Sequence, residues 1–425
     1  MMKAKETANT IKPYHKVLYN HFMTADQPGT ILRDFDTLLH IVYDSQPLKV
    51  TSSNSLLPMK MLPDINARLV NPIRLDFTRP QHKSFPNILG LFLLLRATGL
   101  AFLEGSGARS RLVIDEDVLQ SWNSLNETER YFMLFETALL RANPGIIGES
   151  HHSLFDNPVY RWQHFLRDLP EDGLQIAGNP QEKDWLLSAP GMYNLTLLSM
   201  FAIITIHDAE PEPGRGWNIV SIHPTMFGAA VFQHLQDDLP DLRREFWEEH
   251  REDHSPRDAP IGELQPLFEP FFPEWRHNLE LAQYENQEGV YVFKVTLWKG
   301  VWRRIAISGS LPLNRLSDAV LEAFKFVDDC HLYRFIYIDR FGIERHVDHP
   351  ALYEGRRHEN LPPLTDATRI QDVPLRLGTS MIFYFDFGDQ WQFEMLLEEI
   401  APPDSGMTRP KVLESHGSAP EQYGW

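Results

Sequence analysis

The chain has 425 residues, a formal net charge of −18, 43% hydrophobic and 12% aromatic residues, and one cysteine. That length accommodates two to four domains, and the composition is that of a folded protein rather than a disordered one. The lone Cys330 excludes an internal disulfide framework and a multi-cysteine zinc site, and the acidic balance argues against a general nucleic-acid coat, which needs clustered Lys and Arg.

The charge is unevenly spread. Residues 236–289 hold 15 Asp and Glu against 5 Arg, while residues 291–425 hold 19 acidic and 15 basic residues. The opening MMKAKETANT lacks the apolar core of a signal peptide, and the longest apolar run, 88–95, is interrupted by Gly90. That run is far short of the ~20 residues a membrane span needs. The expectation is a cytoplasmic protein with no membrane association.

Residues 1–28 show no sustained periodicity and read as a loose N-terminal arm. Ile31, Leu32, Phe35, Leu38, Leu39 and Val42 share one face and predict a helix over 31–43. An extended stretch, 47–51, and a helix over 59–69 entered through Pro58 follow. Pro86 opens a helix that runs to Thr98, with Gly99 at its C-terminal cap. Two short strands, 100–103 and 111–114, flank a Gly-Ser-Gly turn, so helices followed by a β-hairpin give a winged-helix-like unit at 29–145. Asn126 with Glu129 makes a capping box for a helix over 127–141.

A second such unit is expected at 146–235. It has an apolar helix over 192–205, a turn-rich stretch over 210–216, a strand over 217–222, and a helix from Met226 capped by Thr225. Residues 236–289 read as an acidic helical connector broken by prolines. Its Leu267, Phe268, Phe271, Phe272 and Trp275 are too apolar for a free linker and should dock on a domain. From residue 290 to 425 the order is strand (291–297), strand (301–307), helix (313–326), strand (331–338), strand (343–346), loop, strand (380–387) and strand (390–400). That order predicts an antiparallel sheet packed on a helix. The fold class expected is therefore multidomain α+β, mainly helical first and sheet-rich last.

Four stretches of the last module carry a family resemblance: Val301-Trp-Arg-Arg-Ile305, the helix start Leu313-Asn-Arg-Leu316, His331-Leu-Tyr-Arg-Phe335, and Phe383-Tyr-Phe-Asp-Phe-Gly-Asp-Gln-Trp391. Together and in this order they resemble the plasmid pRiA4b ORF-3-like family, over about 135 of the 425 residues. The resemblance implies a fold, no established reaction, and an association with plasmids and mobile elements. The family often has His two residues after the last Trp, where this chain has Phe393.

The candidate functional surface comprises Trp302, Arg303, Arg304, His331, Tyr333, Tyr384, Asp386, Gly388, Asp389, Trp391 and Glu394. Asp386 and Asp389 on a tight turn, with His331, could hold a divalent cation. The plainer alternative is a structural turn in which both Asp side chains cap amides, Gly388 takes a positive φ, and Tyr384 and Trp391 fill the core. Strand alternation sends Arg303 and Arg304 to opposite faces, so at most one joins Trp302, and pairing with the Asp386 turn is an equal alternative. His151-His152 and His346-x-x-His349 read as surface or hydrogen-bonded histidines. Cys330 lies beside Asp328 and Asp329, whose field disfavours a thiolate. No Walker A, Gly-x-Ser-x-Gly, Gly-x-Gly-x-x-Gly or His-Glu-x-x-His motif occurs.

If the helical units read DNA, the available cations are Lys60, Arg68, Lys83, Arg109 and Arg111, a thin basic surface. The expectation is a non-enzymatic adaptor or DNA-associated protein, with a protein as the expected partner and duplex DNA as a further candidate. The alternative is a metal-dependent phosphodiester hydrolase centred on Asp386 and Asp389. No cofactor is expected beyond that divalent cation, and the oligomeric state is not assigned by sequence.

Overall fold

The computed structural model describes residues 12–52, 54–105, 109–149, 158–248, 261–281, 287–327, 331–354 and 362–422. His151, His152 and Cys330, with its neighbours Asp328 and Asp329, lie outside these. Two compact units emerge, one from residues 1–48, 56–101 and 114–281, the other from 49–55, 102–113 and 282–425.

The first unit begins with a correction. Helix α1, Pro13–Tyr19, occupies what the sequence suggested was a loose arm. Only Leu18 of its seven residues is fully buried, too little apolar content to produce a periodic signal. It is held to a later helix, which contains Asp237, by Lys12 and Tyr14, both of which reach the Asp237 carboxylate.

Two stretches then repeat the same element order. The first runs α2 (Ile31–Ser45), β1 (Leu48–Lys49), α3 (Leu62–Arg68), α4 (Pro86–Ala97), β2 (Ala101–Glu104) and β3 (Arg111–Ile114), with sheet order β1-β3-β2. Helices α5 (Glu116–Ser124) and α6 (Glu127–Glu136) follow, and α6 ends in a π-turn, Thr137–Arg141. The second repeat runs α7 (Pro158–Asp168), β4 (Leu174–Gln175), α8 (Pro180–Ser188), α9 (Met192–Met200), β5 (Ile204–Ala209) and β6 (Asn218–Pro224), with order β4-β6-β5. Helix α9 stops at Met200, not Thr205, and the rest of that apolar run turns into strand β5. Helix α10, Met226–Glu248, starts where Thr225 Oγ1 accepts the Gly228 N–H at 2.8 Å.

The capping box at Asn126 and Glu129 is formed. Glu129 does more than cap: its Oε1 accepts the N–H groups of Arg276 and His277 at 3.0 and 2.7 Å. Seven residues on, Glu136 accepts the Gly262 and Leu264 N–H groups at 2.8 and 2.9 Å and pairs with Arg141 at 3.2 Å. These two glutamates clamp the backbone of 261–281, which includes the short helix α11, Gln265–Phe268. Phe268, Phe272 and Trp275 are completely buried. The Trp275 ring stacks on Phe132 at 4.6 Å. Burying each such aromatic contributes on the order of 2–3 kcal/mol. The apolar cluster of the acidic connector is therefore core.

The second unit is organised by a seven-stranded antiparallel sheet. Its strands are β7 (Val290–Trp298), β8 (Val301–Ser308), β9 (Tyr333–Ile338), β10 (Glu344–Asp348), β11 (Ser380–Phe385), β12 (Trp391–Ala401) and β13 (Lys411–His416). Their order is β10-β9-β11-β12-β7-β8-β13. Helix α12, Leu313–Phe324, falls between β8 and β9 in sequence and buries Leu316, Val320, Leu321 and Phe324. Phe293, Val295, Ile305, Phe335, Phe383, Phe393 and Met395 share that helix's core and define the inner face. Strand β13 was absent from the sequence reading. All six of its residues are exposed and it pairs only with β8, so no buried alternation marked it.

Candidate functional site

Period-2 alternation divides the candidate residues between two faces of this sheet. Arg303 goes inward. Its guanidinium donates to the carbonyls of Trp302, Ala323 and His416, each at 2.9 Å, and lies 4.7 Å from the Phe324 ring centre. Burial lowers its pKa. Arg303 therefore ties β8, the end of α12 and β13 together. Tyr333 is also in the core, against Phe335 and Phe383. Phe393 packs on Phe324 at 5.1 Å, so that position is core too.

Trp302 and Arg304 point to the outer face. Arg304 Nε lies 2.7 Å from Glu398, and its Nη1 reaches Glu414 on β13. The hydrogen bond to Glu398 raises its pKa. The idea that an arginine here pairs with the Asp386 turn is thus corrected, because carboxylates on β12 and β13, Glu398 and Glu414, take both sides of Arg304. The Trp302 indole stacks on His416 at 5.7 Å and 3°, and the Lys294 ammonium stands 4.5 Å from its ring centre. Lys294 faces Arg304 directly across β7 and β8, and Glu394 faces Thr296 across β12 and β7. Lys294 and His416 were not singled out by sequence. Lys294 shares the outward parity of its strand with Thr296, a usable signal, whereas His416 required β13.

Tyr384 lies on this outer face beside Phe387, at 5.5 Å. It does not fill the core as the structural-turn reading supposed. Arg334, across from Tyr384 on β9, meets Asp348 at 3.0 Å, and Tyr353 Oη donates to the same carboxylate at 2.6 Å. His346 contacts Glu344 at 2.9 Å, which lowers the Glu344 pKa. Trp391 packs beside Phe326 at 4.9 Å at the core's margin.

The Asp386 turn is a folding feature. Asp386 Oδ1 accepts the N–H groups of Gly388 and Asp389 at 2.9 and 3.3 Å, and its Oδ2 lies 3.4 Å from His331 Nε2. The positive φ values belong to Asp386 (56°) and Gln390 (58°), not to Gly388. Asp386 tolerates that region because its short side chain bonds to the following backbone. Asp389 is exposed. No group of three His, Cys, Asp or Glu among the described residues is arranged to hold a metal ion.

Of the suggested DNA contacts, Lys60, Arg68 and Lys83 are exposed in the first unit and Arg109 and Arg111 in the second. Lys83 is 3.5 Å from Glu149. No helix among the described residues is long and apolar enough to cross a membrane.

Residues 289–424 match the family model described as "Plasmid pRiA4b ORF-3-like protein". No curated protein matches the chain. A crystal structure of a protein of unknown function, MM3350 from Methanosarcina mazei Go1, is 22% identical over 32% of this chain and 74% of its own, with a TM-score of 0.27.

Proposed function

We propose, starting from the match of residues 289–424 to the plasmid pRiA4b ORF-3-like family model, that the chain is a non-catalytic adaptor in which two winged-helix folds accompany the matched module and the partner is a protein. The winged-helix reading is supported by the order helix, strand, helix, helix, strand, strand in both repeats. The hairpin's second strand is central in each small sheet.

One observation carries the choice of partner. A helix-turn-helix protein reads DNA by laying its recognition helix in the major groove with polar side chains on base edges. Helix α4, the counterpart here, is buried at all 12 of its residues. Its two polar side chains, Asn87 and Arg96, are 1% and 3% exposed. It packs along α9, its counterpart in the second repeat. Thr196 Oγ1 donates to the Pro86 carbonyl at 3.2 Å, and a Cβ on Gly90 would stand 2.9 Å from Leu197 Cγ. The two helices that would read DNA thus pack on each other. The phosphodiesterase alternative has less behind it, because Asp386 is committed to its own turn.

An electrophoretic mobility shift with duplex DNA tests this choice. The expected result is no retarded band at about 50 mM salt, where phosphate contacts are strongest. A band at low salt that fades steeply as salt rises would overturn it.

A further inference from the structure

The loop joining β5 to β6 contains Pro211, Pro213, Gly214 and Gly216, and residues 212–215 are exposed. A loop of that composition has little apolar contact to fix it. It is nevertheless tied to one short stretch of the first repeat, between α3 and α4. The Arg74 guanidinium lies 2.8 Å from Asp208 Oδ1 and 2.5 Å from Glu210 Oε1, so one group spans the strand end and the loop. Asp76 Oδ2 accepts the Gly214 N–H at 2.8 Å, and the Asp76 N–H donates to the Arg215 carbonyl at 3.0 Å. The Phe77 ring covers Gly216, where a Cβ would sit 2.9 Å from it. Asp208 Oδ2 also accepts the Trp217 indole N–H at 2.9 Å, so the carboxylate that Arg74 holds fixes that indole as well.

We propose that residues 74–77 are a latch on this hairpin, and that the hairpin is an arm with a held and a released state, release freeing the backbone at Gly214 and Arg215 that Asp76 holds. The side chains of Arg74 and Glu210 are 41% and 80% exposed. Ion pairs that open to water are weak and screened by salt, which makes the latch releasable. The inference deepens the winged-helix reading, since it assigns the second wing a held and a free state.

Hydrogen exchange of the full chain tests it. Arg74→Ala is expected to speed exchange of the amides in 209–218 by about tenfold, as for a loop that gains local opening. Asp76→Ala should act in the same direction, and so should about 1 M salt on the unmodified protein, where the screening length is ~3 Å. Continued protection of α4 and α9 shows that each variant remains folded. Unchanged exchange in 209–218 in both variants would overturn the latch. A failure of the adaptor reading appears separately, as duplex binding, and leaves the exchange result standing.

Discussion

Helices α4 and α12 answer the same problem of burial in opposite ways. Helix α12 buries Leu313, Leu316, Ser317, Ala319, Val320, Leu321 and Phe324 and leaves the opposite stripe in water, as a helix on one face of a sheet must. Helix α4 buries every residue, including a glycine, an asparagine and an arginine. The contrast extends to charge. In the first unit, Glu129, Glu136 and Arg141 are buried and join elements together, whereas the module keeps Lys294, Arg304 and Glu394 on an open sheet face. Polar groups in the N-terminal repeats therefore serve the fold. On the module's outer face polar groups stay open to water.

The sharpest way to break that comparison is to remove a buried charge. Burial raises the Glu136 pKa and lowers that of Arg141, so the desolvation of each outweighs its partner's attraction. Glu136→Ala would leave Arg141 buried without its counter-charge and strip the Gly262 and Leu264 amides of their acceptor. A loss of about 3–5 kcal/mol in urea unfolding is expected. Glu136→Met with Arg141→Met should cost clearly less, because the unpaired charge is gone. If the single and double variants lose the same amount, the pair is not what holds the 261–281 segment.

Arg303 is the module's own buried cation and sharpens the contrast from the other side. It bonds to carbonyls instead of a carboxylate, so Arg303→Met leaves no buried counter-charge behind. It does leave the carbonyls of Ala323 and His416 short of a donor. The expected loss is about 1–3 kcal/mol. Faster hydrogen exchange should centre on β13, whose His416 carbonyl this side chain holds. Stability unchanged to within a few tenths of a kcal/mol would show that β13 is held some other way.

The pattern of losses matches what the sequence made legible. The module's strands and α12 alternate cleanly between buried and open positions, and six of its seven strands were read with only end errors. The capping box at Asn126 and the docking of Phe268, Phe272 and Trp275 were legible because each rests on residue type. Strand β13 was not, since an edge strand exposed on both faces has no alternation to read. Helix α1 was too short, and β4 has two residues. Parity on β8 correctly separated Arg303 from Arg304. No local pattern could show that Glu398 and Glu414 would take the Arg304 guanidinium, because both come from strands distant in sequence. The positive φ at Asp386 was assigned to Gly388 because glycine is the default for that region, and the side-chain bond that lets Asp adopt it is invisible until the turn is seen.

The smallest effect is expected one residue along from Arg303. Arg304→Gln removes a bidentate contact to two glutamates, yet all three side chains are open to water and Arg304 directly faces Lys294 across the strand pair. Two like charges in register repel, which offsets part of what the glutamates contribute. The net loss should lie between about 0 and 1 kcal/mol in urea unfolding at low salt and vanish at high salt. A loss as large as that of Arg303→Met, and insensitive to salt, would mean that the outer face is not open as described. The division between a fold-serving inner face and a solvent-facing outer one would then fail at the residue where it is drawn most sharply.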